Sequence, residues 1–298
     1  MVRIILHLLL MGLLLPALPA AGQTAPPSED VTVTADKSRD ATHTFTKKFA
    51  APTQLSGKIA RWQRRLCPLV LGQEPNVAAF ITQHIKYVGL AVHAPVNTDA
   101  SCTPNIEIVF TTTPQDLLDN VRHGEGVLLG YADTTAQLDK LAQVTRAIQA
   151  WYATETSDCH GRRTMDTGAA ANDQGDRNFP HPFYAACTGS RINDGLVTGF
   201  NHILIVIDTT KLAGQEVVPL ADYIAMLALT QLNSLDICQA QPSIVNIMAG
   251  TCEHSEQALT EFDLAYLQGL YRMSAGRKVH MQRNEIADMM KDKLEGEN

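Results

Sequence analysis

The groups able to do chemistry in this 298-residue chain are few and scattered. Asp222 is the one charge in the apolar run 217–232, where a carboxylate could serve as a catalytic general base. Asp208 is a second acid beside an apolar run. If the two met in space they would form a carboxylate pair suited to proton transfer; otherwise Asp222 complements a helix start and Asp208 belongs to a turn. Arg61 with Trp62, Gln149 with Trp151, and Arg191 combine aromatic faces with hydrogen-bonding heads, and they are the candidate ligand-binding residues. The competing reading places both tryptophans in the core or in ordinary strand pairs. Cys159-His160 and the later His181 and Cys187 offer thiolates and imidazoles. Their spacing is not that of a compact zinc motif, so a disulfide-stapled loop is expected there and no metal.

The element carrying Asp222 reads as a buried helix. Pro219 suits a first turn, and Val217, Val218, Leu220, Ile224, Met226, Leu227, Leu229 and Leu232 leave no wide polar face. The tight apolar turn 242–246 (PSIVN) follows, flanked by Cys238 and Cys252. A further helix then starts at Thr260, with Asp263 in the capping-box position and Leu259 and Leu264 at the staple positions. Phe262, Leu264, Leu267, Leu270 and Tyr271 continue it at helical spacing.

This order of buried helix, P-S-I-x-N turn and closing helix resembles the C-terminal half of metzincin-type zinc peptidases. That family's active-site helix carries H-E-x-x-H-x-x-G-x-x-H before a methionine turn and a final helix. In that alignment the first histidine falls on Ala221, the glutamate on Asp222, the second histidine on Ala225 and the glycine on Ala228. The methionine of the turn falls on Val245, with Met248 three residues later. Two imidazoles one turn apart bind the zinc and the glutamate activates its water; alanine offers no lone pair. The chain is thus similar to exported proteobacterial families that keep the scaffold without the histidines. The resemblance implies an α+β fold with a zincin-like mixed sheet and no metal or other cofactor on this helix. Zinc catalysis from it is not expected.

Residues 1–22 have the form of a secretory signal: Arg3, an apolar stretch from Ile4 to Leu15, and a small-residue cleavage site at Ala20-Ala21-Gly22. The address is therefore exported, periplasmic or secreted, with no integral membrane span after cleavage. Loss of Arg3 with that segment moves the formal charge from −7 to −8. Such an acidic balance, without a basic-aromatic stripe, argues against nucleic acid as a partner. In an oxidising compartment six cysteines read as up to three disulfides. Nearest neighbours are expected to pair: Cys67–Cys102, Cys159–Cys187 and Cys238–Cys252.

The elements around these groups follow from periodicity. Residues 23–51 read as a flexible leader and 52–273 as the α+β domain. Within it come a strand in 58–71, a helix over 74–93 with His84 and His93 on its solvated side, and a strand over 105–112. Short helices follow from Pro114 and Thr135, then a strand over 146–156, a long polar loop over 157–189 and a central strand over 200–209. A charged amphipathic helix over 278–294 lies in the last segment, 274–298, and packs on the domain or on a partner. Three functions fit: a non-catalytic binding or scaffold module for a peptide, cell-wall component or envelope protein; a peptidase-like hydrolase using Asp222 with groups from Asp208, His202, His254 or the long loop; and a structural envelope protein assembling through its last helix.

Overall fold

The computed structural model describes residues 29–99, 101–168, 192–212, 214–235 and 237–296, with side chains from residue 38 onward. It is an α+β structure built on a five-stranded mixed sheet in the order β1-β2-β5-β3-β4. The strands are β1 (Pro68–Leu71), β2 (Ile106–Thr111), β3 (Ile148–Ser157), β4 (Arg163–Met165) and β5 (Val197–Asp208). The first two run parallel to β5, whereas β3 is antiparallel to β5 and β4 to β3. The helices among the described residues are α1 (Glu29–Phe49), α2 (Pro75–Ala91), α3 (Pro114–Gly124), α4 (Thr135–Leu141), α5 (Val217–Leu229), α6 (Glu261–Arg272) and α7 (Val279–Leu294).

Alternation along the strands divides the apolar residues between two cores. Ile106, Ile108, Ile148, Ile203, Ile205 and Ile207 point into the larger core, which also takes α2, α5, α6, the second half of α1 and α7. Trp151, Leu204 and Val206 point the other way, against Leu118, Leu129 and Leu138 under α3 and α4. The sheet is therefore covered on both faces, which explains the unbroken Ile/Leu/Val run of β5.

Three stretches differ from the sequence reading, one of them because β4 (Arg163–Met165) lies within the expected 157–189 loop and pairs with the end of β3. Part of the 23–51 leader is helical, and Thr42, Phe45, Thr46 and Phe49 are buried. Phe45 stacks on Phe49 at 4.3 Å, and Phe49 meets the Tyr266 ring edge-on at 5.1 Å. The positions i, i+3, i+4 and i+7 do make a stripe, but two of them are threonine, so the pattern is faint and tertiary packing fixes the helix. In 58–71 only Pro68–Leu71 is strand; Ile59, Arg61 and Leu66 contribute isolated bridges. The last helix packs on the domain, placing Ile286 and Met290 in the larger core.

At the centre, α5 is enclosed on every side: ten of its residues from Pro219 to Leu229 are buried. A helix leaves its last carbonyls without intrahelical partners, and inside a core water cannot supply them. Three large side chains do so here. Tyr152 of β3 donates its hydroxyl to the carbonyls of Leu227 (3.0 Å) and Thr230 (3.1 Å). The Trp62 indole donates to Ala228 at 2.8 Å, and the Tyr271 hydroxyl of α6 to Leu229 at 2.8 Å. Burial pushes the Tyr152 and Tyr271 phenols far above their usual range, keeping them protonated as donors.

The turn between α5 and α6 is fastened by a second buried network. Asp263 accepts from Ser243 Oγ (2.6 Å), the Ile244 amide (2.9 Å) and the Thr260 amide (3.0 Å), so one carboxylate closes both the turn and the α6 capping box. Burial raises its pKa against the pull of those donors. The Asn246 side chain donates to the carbonyls of Gln239 and His254. The Cys238–Cys252 disulfide closes the same segment, and Cys67–Cys102 ties the start of β1 to the loop before β2. Cys159 is also disulfide-bonded; Cys187 lies outside the described residues.

Tyr152→Phe strands two buried carbonyls while keeping the ring, so it is expected to cost about 2 kcal/mol in a urea titration. Tyr131→Phe, a hydroxyl removal at a surface tyrosine bonded to Asp133, is the control and is expected to cost at most about 0.5 kcal/mol. Equal losses would contradict the capping role.

Candidate functional site

Four of the sequence-derived ligand residues make hydrogen bonds to backbone groups of the protein itself. Trp62 is buried and caps α5, as described above. Arg61 donates to the Leu270 carbonyl near the end of α6 at 2.7 Å, and burial lowers its pKa from the ordinary guanidinium value. Trp151 lies in the smaller core with its indole on the Leu141 carbonyl at 2.7 Å. Gln149 brackets its own approach loop, accepting from the Thr145 amide and donating to the Gln143 carbonyl. Each of the four satisfies a backbone group, often far away in sequence. Arg191 and His181 lie outside the described residues.

The acids separate as well. Asp208 ends β5 and caps the short turn after it, accepting from the Thr210 amide and hydroxyl and pairing with Lys211 at 3.0 Å. Thr210 and Lys211 hold its carboxyl below the usual range. His202 stands on β5 with Nε2 3.7 Å from Glu107 Oε1, and burial pulls its pKa down. Both are engaged away from Asp222.

Asp222 has a partner that the sequence did not reveal. His84 of α2, read there as a solvated histidine, places Nε2 2.5 Å from Asp222 Oδ1. The other carboxylate oxygen, Oδ2, accepts the Leu259 amide at 3.1 Å. The pair sits at the edge of the core, with side-chain exposures of 18% for His84 and 9% for Asp222. Phe80 stacks on the imidazole at 5.7 Å and Tyr87 flanks it at 6.4 Å. Residues 80, 84 and 87 share one face of α2, and Tyr87 is 70% exposed. An aromatic–imidazole–aromatic stripe thus lies at the surface, its central ring held by a carboxylate from the helix beneath. The i, i+4, i+7 spacing was the available signal; the fixing acid, 138 residues away, was not.

Two recesses open on the described structure, neither of them lined by Phe80, His84 or Tyr87. One of about 240 Å³ is lined by Gln73, Val77, Phe110, Thr209, Leu212, Gln215, Val217 and Leu220. It opens at the carboxyl ends of the parallel strands β1, β2 and β5, where open α/β sheets leave a crevice for ligands. Another of about 590 Å³ is lined by Pro242, Phe262 and the segment 256–261, which includes Leu259. The Asp222–Leu259 bond joins that segment to the histidine. With Nε2 on a carboxylate, His84 offers a ligand its other ring nitrogen, while the neighbouring rings offer stacking faces. That suits binding of a planar or ring-bearing group. Among the described residues His84 shows no hydrogen bond to a hydroxyl or thiol that would act as nucleophile.

Ala221, Ala225 and Ala228 are fully buried in the larger core. Those positions face packed side chains and no cleft. Among the described residues no three His, Cys, Asp or Glu side chains are grouped to hold a metal ion. Comparison with family models, curated proteins and solved structures finds no match.

The His84–Asp222 pair predicts coupled stabilities. His84→Ala and Asp222→Ala are each expected to cost about 1–3 kcal/mol in chemical denaturation. The double variant is expected to fall short of their sum by about 1 kcal/mol or more. Strict additivity would show that the two side chains do not interact.

Proposed function

We propose that this protein is an exported, non-catalytic binding or scaffold module of the cell envelope, a relative of metzincin-type zinc peptidases that works without zinc. The observation carrying this reading is the state of α5. The alanines standing where the family has histidines are sealed in the core, and the acid standing where it has glutamate holds His84 and the Leu259 amide. Both oxygens of that acid are committed to structural partners. What faces outward is the Phe80–His84–Tyr87 stripe, a surface suited to a peptide or cell-wall ligand. The signal-like residues 1–22 and the two disulfides between described cysteines support a periplasmic or secreted location. Among the described residues no helix is long and apolar enough to cross a membrane.

A hydrolase is the second reading, favoured by one observation: an imidazole hydrogen-bonded to a carboxylate is the unit that activates nucleophiles in many enzymes. The two readings separate in one experiment. The mature protein is incubated with peptide libraries and cell-wall fragments, and retention and turnover are followed together. Retention without turnover is expected, with affinity falling about tenfold in Phe80→Ala/Tyr87→Ala, since each ring contributes about 1 kcal/mol of stacking. Turnover abolished by Asp222→Asn would replace the binding module by the hydrolase.

A further inference from the structure

A further cavity lies between α1 and α7, and its charged lining groups are of one sign. It has a volume of about 290 Å³ and is lined by His43, Thr44 and Lys47 from α1 and by His280, Arg283 and Asn284 from α7. Lys47 and Arg283 are cations, and no carboxylate is among the lining groups. In a chain with a formal charge of −7 such a concentration runs against the overall balance.

Two nitrogens make the cavity more than a basic patch. Among the described residues, the buried atoms His43 Nε2 and Arg283 Nε have no hydrogen-bond partner. They belong to opposite helices. A buried donor left unpaired costs about 1–3 kcal/mol, and native proteins rarely tolerate one unless a water or an ion answers it. The Arg283 guanidinium is held in place because its Nη2 donates to the Ala50 carbonyl at 2.8 Å, which fixes the direction of its free Nε. The exposed Asp288 is within ion-pair distance of His43, its Oδ1 3.6 Å from Nε2 and just beyond hydrogen-bond reach. It tempers the positive field without filling the donors.

We infer that the α1–α7 cavity is a binding site for a phosphate group, with His43 and Arg283 as its inner groups and Lys47 and His280 at its mouth. A tetrahedral oxyanion supplies several acceptor oxygens in different directions, as donors on two opposing walls require, and guanidinium matches it geometrically. A single water occupies roughly 30 Å³ in the liquid, so the cavity has room for a phosphate together with the first atoms of whatever bears it. The site is independent of the stripe on α2 and survives or falls separately from the binding-module reading.

The test titrates the full mature protein with inorganic phosphate by calorimetry, at constant ionic strength set with chloride. Lys47→Gln/His280→Gln is the main variant and Lys47→Gln alone the second; both positions are exposed, so the fold is kept. Saturable binding is expected, weakened at least about tenfold in the double variant, because charge-assisted contacts are lost. Co-sedimentation with phosphatidylglycerol vesicles, set against phosphatidylcholine vesicles, then identifies the source. Sedimentation that inorganic phosphate competes away assigns the group to a lipid head group, and its absence beside calorimetric binding assigns it to a soluble phosphate. No saturable binding, or equal binding by wild type and both variants, would overturn the proposal.

Discussion

Trp62, Tyr152 and Tyr271 converge on the last carbonyls of α5 from the chain before β1, from β3 and from α6, and the rest of the molecule is arranged so that they can. An apolar helix can be buried on all sides only if its ends are also satisfied. Each carbonyl left bare would cost as much as a sizeable fraction of a domain's net stability. The solution here uses rings that are themselves core residues. Their faces fill space between the sheet and α6 while their single polar atoms reach backbone oxygens. The position of β3, the path of the chain before β1 and the end of α6 are thereby tied to one point.

The same enclosure decides what α5 can do. Its small residues, Ala221, Ala225 and Ala228, allow neighbouring elements to close over it, and they put the resembled metal positions inside the protein. Asp222 escapes this fate by lying at the margin. There it exchanges the cost of burial for two hydrogen bonds, one of which holds the His84 ring between Phe80 and Tyr87. What α5 contributes to the surface is therefore one carboxylate, held against the helix beside it. The acid remains as an orienting group for an imidazole that faces outward.

Much of the scaffold was legible in the sequence because it is written in local periods. The stripe of α2, the Thr260–Asp263 capping box and the run of β5 each depend on residues within a few positions of one another. The helix α1 was obscured because threonine occupies half of its buried stripe. The site was hardly legible at all. Whether Trp62 meets a ligand or a carbonyl 166 residues away is a matter of tertiary structure, and an indole looks the same in either case. His84 similarly acquires its meaning from Asp222 alone. Asp263 was recognised as a cap, yet its bonds to Ser243 and Ile244 across the turn follow only from the fold.

The central claim is that Asp222 is a bound structural acid rather than a group waiting for a substrate, and the Leu259 amide reports on it directly. This amide precedes α6 and donates to Asp222 Oδ2. Native-state hydrogen exchange of the mature protein is expected to find it protected together with the amides of α5, and to find that protection lost selectively in Asp222→Ala. A Leu259 amide that exchanges freely in the wild type while α5 stays protected would contradict the account, because the carboxylate would then be free for other work.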